Sequence, residues 1–147
     1  MNDILHVLRK LRSKRVIKCT TGGGAGSILK IELEGNSYFF FYCAWRIEQN
    51  DVVVSTSEDN PDALIGRMAT AAQSLVECQI ISITITKQFD LIVFFNNGFC
   101  FKAFCNISYF QTDNGRTYDT NWELCLPNEN LVFSIDNYFS LIINNYY

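Results

Sequence analysis

From Gln79 to Asn106 the chain reads QIISITITKQFDLIVFFNNGFCFKAFCN, and its hydrophobic period is two. Ile81, Ile83 and Ile85 alternate with Ser82, Thr84 and Thr86, and Leu91, Val93 and Phe95 repeat the pattern. A helix cannot keep such residues on one face, whereas a strand does so automatically. Asn96-Asn97-Gly98 supplies turn residues that tolerate positive φ, and Phe99 to Cys105 returns as a third strand. Three strands sharing one apolar face can seed a sheet. The rest of the chain is compatible with sheet: it holds 12 Phe and 7 Tyr but only 2 Pro.

Upstream, Leu29, Ile31 and Leu33 alternate with Lys30, Glu32 and Glu34. Gly35-Asn36 makes a turn, Ser37 to Ile47 reads as one long strand, and Asp51 to Thr56 as another. Ile4, Leu5, Leu8 and Leu11 fall at helical spacing, so residues 3–13 are predicted to form a helix with Asn2 as N-cap. Asn60-Pro61-Asp62 predicts a second helix over 61–76, with Leu64, Ile65, Met68, Ala72 and Leu75 as its buried stripe. Residues 107–120 form a polar excursion, and three short strands follow it. The expected fold is α+β: a single domain over 1–147, mostly antiparallel sheet in two similar meanders, with both helices packed on it. Its 147 residues suffice for one proper core.

The meanders suggest an internal repeat, with halves near 15–60 and 78–135 joined by the second helix. Shifting by 62 carries Leu29, Ile31 and Leu33 onto Leu91, Val93 and Phe95, and Cys43 onto Cys105. A shift of 71 then aligns Asn50–Val54 with Asn121–Cys125, which implies an insertion of 9 residues in the second half.

Nothing in the sequence reads as a catalytic motif. The glycine run Gly22-Gly23-Gly24-Ala25-Gly26 is followed by a strand, whereas phosphate-binding loops open a helix, so it reads as a connecting loop. His6 stands alone, and the six cysteines form no Cys-x-x-Cys pair, so neither a metal nor a cofactor is expected. The cysteines read as small buried hydrophobes. An enzyme using His6 or the carboxylates Glu58, Asp59 and Asp62 is the weakest functional class.

Charge is the more informative property. Residues 1–18 carry six basic residues against Asp3 alone, while the chain as a whole is −3. The body is therefore acidic, with Glu48, Asp51, Glu58, Asp59 and Asp62 in one cluster and Asp113, Asp119 and Glu123 in another. An acidic body attracts cationic partners and repels nucleic acid. No apolar run approaches the ~20 residues of a membrane span, so no membrane partner is expected, and a cytoplasmic location follows. Trp45-Arg46 and Asn121-Trp122-Glu123 combine residue types enriched at binding hot spots with flanking acids. The bland alternative is that Trp45 belongs to the core and Arg46 pairs with Glu48 or Asp51.

Cys43-Ala44-Trp45-Arg46-Ile47, Asp90-Leu91-Ile92-Val93-Phe94-Phe95-Asn96-Asn97-Gly98 and Asn121-Trp122 together carry a resemblance. Over residues 28–135 the chain resembles small bacterial immunity proteins of polymorphic-toxin and contact-dependent growth-inhibition loci. The basic N-terminal helix and the glycine run lie outside it. The resemblance implies a cytosolic, non-catalytic inhibitor that binds a cognate toxin domain. The expected partner-binding set is Trp45, Arg46, Glu48, Asp51, Asp59, Asp62, Asp113, Asp119, Trp122 and Glu123. A β domain that binds a small molecule or peptide is the competing class, and a large pocket lined by Phe and Tyr would favour it. Protein unfolded and alkylated at lysis is expected to carry six alkyl adducts, one per free thiol; a lower count would mean a bridge and overturn the reduced, cytosolic expectation.

Overall fold

The computed structural model describes residues 1–106, 110–111, 117–118 and 120–146. Helix α1 (Asn2–Lys10) leads into β1 (Val16–Thr20), β2 (Leu29–Leu33), β3 (Tyr38–Phe41), β4 (Ala44–Gln49) and β5 (Val52–Thr56). Helix α2 (Arg67–Ser74) leads into β6 (Ile80–Ile85), β7 (Leu91–Phe95) and β8 (Phe99–Phe104). A small ribbon of β9 (Phe110–Gln111) and β10 (Thr117–Tyr118) precedes β11 (Thr120–Leu126), β12 (Leu131–Asp136) and β13 (Leu141–Asn145). Two larger antiparallel sheets result, ordered β1-β2-β3-β11-β12-β13 and β5-β4-β8-β7-β6. The fold is α+β, as the alternating pattern predicts. The inner faces of both sheets and the buried sides of both helices share one core, in which the rings of Phe41 and Phe101 lie 4.5 Å apart.

Backbone features recur between the two parts of the chain, and the recurrence includes the helices. Buried Ile4, Val7, Leu8 and Leu11 correspond to buried Met68, Ala71, Ala72 and Leu75, each 64 residues on. Ser13 and Glu77 both adopt positive φ, at 70° and 72°. The two halves meet there through reciprocal backbone bonds. Ser13 N–H donates to Ile80 O (2.8 Å) and Glu77 N–H to Val16 O (2.8 Å). Ile80 N–H donates to Lys14 O (2.9 Å) and Val16 N–H to Cys78 O (2.9 Å). Arg15 pairs with Gln79 at the centre of this pattern, which is the signature of an approximate two-fold axis. One pair of irregularities also corresponds: β1 slips register between Val16 and Lys18, and β6 between Ile80 and Ser82, whereas the slips in β4–β5 (Ile47/Glu48) and β11–β12 (Thr120/Trp122) fall at different places. The halves therefore begin at the helices, and α2 is the first element of the second half rather than a linker.

The second correction concerns the stretch Ser37 to Ile47, which is two strands and not one. The backbone leaves the first sheet after Phe41, where the N–H groups of Tyr42 and Cys43 both donate to Asn121 O at 2.8 and 3.1 Å. β4 then pairs with β8 in the other sheet. The second half does the reverse: β11 crosses to pair with β3. Each half thus lends a hairpin to the other's sheet. Trp45 sits opposite Ala103 and Trp122 opposite Phe41, so the equivalence is Trp45 with Trp122, 77 residues apart. The alignment of Asn50–Val54 with Asn121–Cys125 fails for this reason. Asn50 and Asp51 form the β4–β5 turn, both at positive φ, and the insertion is 15 residues rather than 9.

Further corrections are local. The predicted helix over 61–76 is only α2, because Asn60 and Asp62 act as turn residues. Asn60 Oδ1 accepts the Asp62 N–H (2.9 Å), while Asp62 Oδ1 accepts those of Leu64 (2.7 Å) and Ile65 (3.0 Å). Short polar side chains that capture nearby backbone donors favour turns as readily as helix starts. Leu64 and Ile65 are consequently exposed rather than buried. α1 starts one residue earlier than expected, with Met1 and not Asn2 at its N-cap. The glycine run seats this loop: Gly23 N–H donates to Pro61 O (2.5 Å), and a Cβ on Gly22, whose φ is +78°, would lie 2.8 Å from that oxygen. All six cysteines are free. Cys105 Sγ donates to Phe89 O (3.2 Å), and the neighbouring Cys105 thiol, with burial, pushes the equivalent Cys43 thiol well above its ordinary range.

The two tryptophans use their indole N–H groups identically. Trp45 Nε1 donates to Ser27 O (2.7 Å) and Trp122 Nε1 to Phe89 O (2.9 Å), and those carbonyls lie 62 residues apart, each two residues before its strand. Replacing Trp45 by Phe, or Trp122 by Phe, is expected to remove about 1–3 kcal/mol through a stranded carbonyl and lost packing. Denaturant midpoints should fall by similar amounts for both, and a loss in only one variant would break the equivalence.

Candidate functional site

The expected partner-binding residues do not form one surface. Trp45 and Trp122 are buried to 1% and 0% exposure, so neither reaches a partner in the folded chain. Their proximity to acidic residues is a consequence of strand alternation: each tryptophan points inward, and the residue that follows points outward. Asp113 and Asp119 lie outside the described residues. Glu123 is on the outer face of the six-stranded sheet, accepting hydrogen bonds from Tyr42 Oη (3.3 Å) and Ser134 Oγ (3.3 Å).

Arg46 and Glu48 lie on the outer face of the five-stranded sheet beside Lys102. Arg46 Nε donates to Glu48 Oε2 at 2.6 Å, and Lys102 Nζ reaches the same oxygen at 2.9 Å. The Arg46 guanidinium also covers the Phe104 ring at 5.1 Å. This is the bland pairing that the sequence allowed. Burial pushes the Glu48 carboxyl up, but hydrogen bonds from Lys102 and Arg46, with their charges, outweigh it and hold the group below its ordinary range. Two cations on one carboxylate leave this patch no negative charge to offer.

The remaining acids bracket β5. Exposed Asp51 stands before it, and Glu58, Asp59 and Asp62 follow it. Asp59 accepts the Ser55 Oγ hydrogen bond and the Thr56 N–H, both at 2.9 Å, which closes the end of the strand. The Thr56 N–H, then Ser55, lower the Asp59 pKa; the Ile65 and Leu64 N–H groups do the same for Asp62. Between the acids lies apolar surface. Val52 is 67% exposed, Val53 49%, Leu64 93% and Ile65 81%. Val54 and Ile65 face Thr70, Ala71 and Ser74 of α2 across a groove of about 300 Å³. Sequence reasoning missed this apolar component because it placed Leu64 and Ile65 on a buried helix stripe. The available signal was the Asn60-Pro61-Asp62 turn chemistry, which exposes the residues after it.

Aromatic side chains are used elsewhere. Tyr38, Phe40 and Tyr42 line the outer face of the six-stranded sheet under Lys30, whose Nζ lies 4.6 Å from the Tyr38 ring centre. Phe39, Phe41, Phe101 and both tryptophans stack on one another in the core. Among the described residues no group of three or more His, Cys, Asp and Glu could hold a metal ion, and no helix is long and apolar enough to cross a membrane.

Glu48 gives a signed prediction. A carboxyl held below its unfolded pKa stabilises the fold above that pKa, and the contribution disappears as pH falls through the folded value. Glu48→Gln is therefore expected to lower stability by about 1–3 kcal/mol at pH 7. The difference from the parent should shrink steadily below pH ~4.5, measured by urea unfolding across pH. A difference that persists unchanged in acid would show that the Arg46 and Lys102 contacts stabilise little.

Comparison with protein-family models, with curated proteins and with solved structures finds no match to this chain.

Proposed function

We propose that this chain is a binding protein that neutralises a cognate bacterial toxin domain in the cytoplasm, acting by occupancy rather than turnover. The observation that carries this reading is the composition of the surface around β5. Apolar side chains there are held outward by a hydrogen-bonded loop and bracketed by Asp51, Glu58, Asp59 and Asp62. Exposed apolar area surrounded by charge marks a protein partner, and the sign of that charge selects a cationic one. Nucleases and other toxin domains that handle polyanions are cationic, which supports the likeness to immunity proteins carried by the Trp-Arg and Asp-Leu strand motifs.

Asp59 and Asp62 both hold backbone donors in place, so reversing them would disturb the loop as well as its charge. Asp51 and Glu58 are exposed and serve as the fair test. Asp51→Asn, which keeps a residue suited to the positive φ of this turn, with Glu58→Lys is expected to slow association with the toxin domain roughly tenfold at low salt and to flatten its salt dependence. Thermal stability should be unchanged, and cells carrying the variant should be less protected. Unaltered association and protection would overturn the reading.

A further inference from the structure

The approximate two-fold axis makes each strand of one large sheet answerable to a strand of the other, and among the described residues one strand of the larger sheet, β13, has no counterpart. β12 corresponds to β5: Glu123 pairs with Ser134 as Arg46 pairs with Thr56, and Leu124 with Phe133 as Ile47 with Ser55. On its far side β12 is covered by β13, with Leu131 to Ile135 paired against Asn145 to Leu141. On its far side β5 has no strand among the described residues, and it ends the five-stranded sheet. The Asp59 carboxylate and N–H close Thr56. Among the described residues no other backbone group hydrogen-bonds to the outer side of Val52–Ser55, and α2 stands beside Val54 across the groove.

We infer that the open side of β5 receives an extended segment of a partner protein, which adds a sixth strand where β13 stands in the other sheet. The chain's own structure shows what such an edge accepts, since β13 is a short run beginning Leu141-Ile142-Ile143. The surroundings select the partner further. Asp51 lies before the strand, Glu58, Asp59 and Asp62 lie after it, and Val52, Val53 and Ile65 are exposed beside it. A second copy pairing through the same edge would set these acids against one another, and like charges oppose such pairing. An apolar segment flanked by Lys or Arg meets both features: its backbone completes the ladder, and its ends meet the acids. The loop supports this use. It carries Leu64 and Ile65 on N–H groups fixed by Asp62, so the apolar surface is already arranged before a partner arrives.

The inference rests on the binding reading above but is separable from it. The probe is a synthetic peptide of alternating valine and threonine with lysines at both ends, titrated into the full chain. Binding is read by fluorescence anisotropy, and its location by amide hydrogen exchange. The expected result is protection of the Val52–Ser55 amides and an affinity reduced at least about tenfold by Val53→Lys, whose half-exposed side chain can change without disturbing the core. Absence of binding, equal binding by the variant, or protection at β13 instead of β5 would overturn the site. A toxin domain that binds while leaving Val52–Ser55 unprotected would likewise overturn the strand site and leave the toxin-neutralising reading standing. A peptide bound at β5 in a chain that neutralises no toxin would support the strand site and remove that reading.

Discussion

The structure depends on the exchange of hairpins between its halves. β3 stops at Phe41 and β11 takes the place beside it, while β4 crosses to lie beside β8. Neither half could bury its own meander: the inner faces of β1-β2-β3 and β6-β7-β8 would end at an open edge where the partner hairpin now lies. Each crossing strand also brings a tryptophan into the centre. Burying one such side chain contributes roughly 4–6 kcal/mol of gross transfer energy, and its indole N–H must find a partner or lose much of that. Ser27 O and Phe89 O provide that partner at equivalent places. The exchange therefore ties the fold's largest buried side chains to pairings between distant parts of the sequence. Both halves must be present before either sheet is complete, which favours cooperative, all-or-none assembly.

Much of this was legible in the sequence, and the limits follow from what periodicity measures. A period of two reports which residues share a face, so the inward sets Leu29-Ile31-Leu33 and Leu91-Val93-Phe95 could be read directly, and all six are buried. It does not report which sheet a strand joins. Ser37 to Ile47 alternates without a break across Tyr42-Cys43, so the crossing leaves no mark in the pattern; only the shared acceptor Asn121 O reveals it. The repeat was under-read for a related reason. Ile4, Val7 and Leu8 correspond to Met68, Ala71 and Ala72, which share spacing but little chemistry.

The site was harder to read than the fold. Trp45 and Trp122 drew attention as binding residues because tryptophan is enriched at interfaces, but it is also the largest core residue available, and here the core holds both. Arg46 and Glu48 satisfy each other together with Lys102 from the neighbouring strand, a partner visible only after β4 is placed against β8. The acids around β5 were legible as a cluster in sequence. Their relation to the strand edge was not, since an edge is a property of the whole sheet and cannot be assigned to any one strand from its own residues.

Near-symmetry gives the departures from symmetry their meaning. Two halves that agree in a φ angle, a register slip and an indole hydrogen bond are under common physical constraints, so a difference between them has its own cause. At β12 the chain continues through the turn capped by Asp136 and returns as β13. At β5 the Asp59 turn closes only Thr56, and the chain runs on to Pro61 against the glycine run. One edge is covered and the other is open: β5 is short, carries an extra residue at Val54 opposite Ile47–Glu48 and has α2 beside it, but along Val52–Ser55 it holds no lysine, proline or inward charge to block pairing outright. What stands there instead is negative charge at both ends of a short valine strand. That arrangement discourages a second copy of the same chain and admits a segment with cationic ends, so the edge is guarded against its own kind while remaining open to a complementary strand.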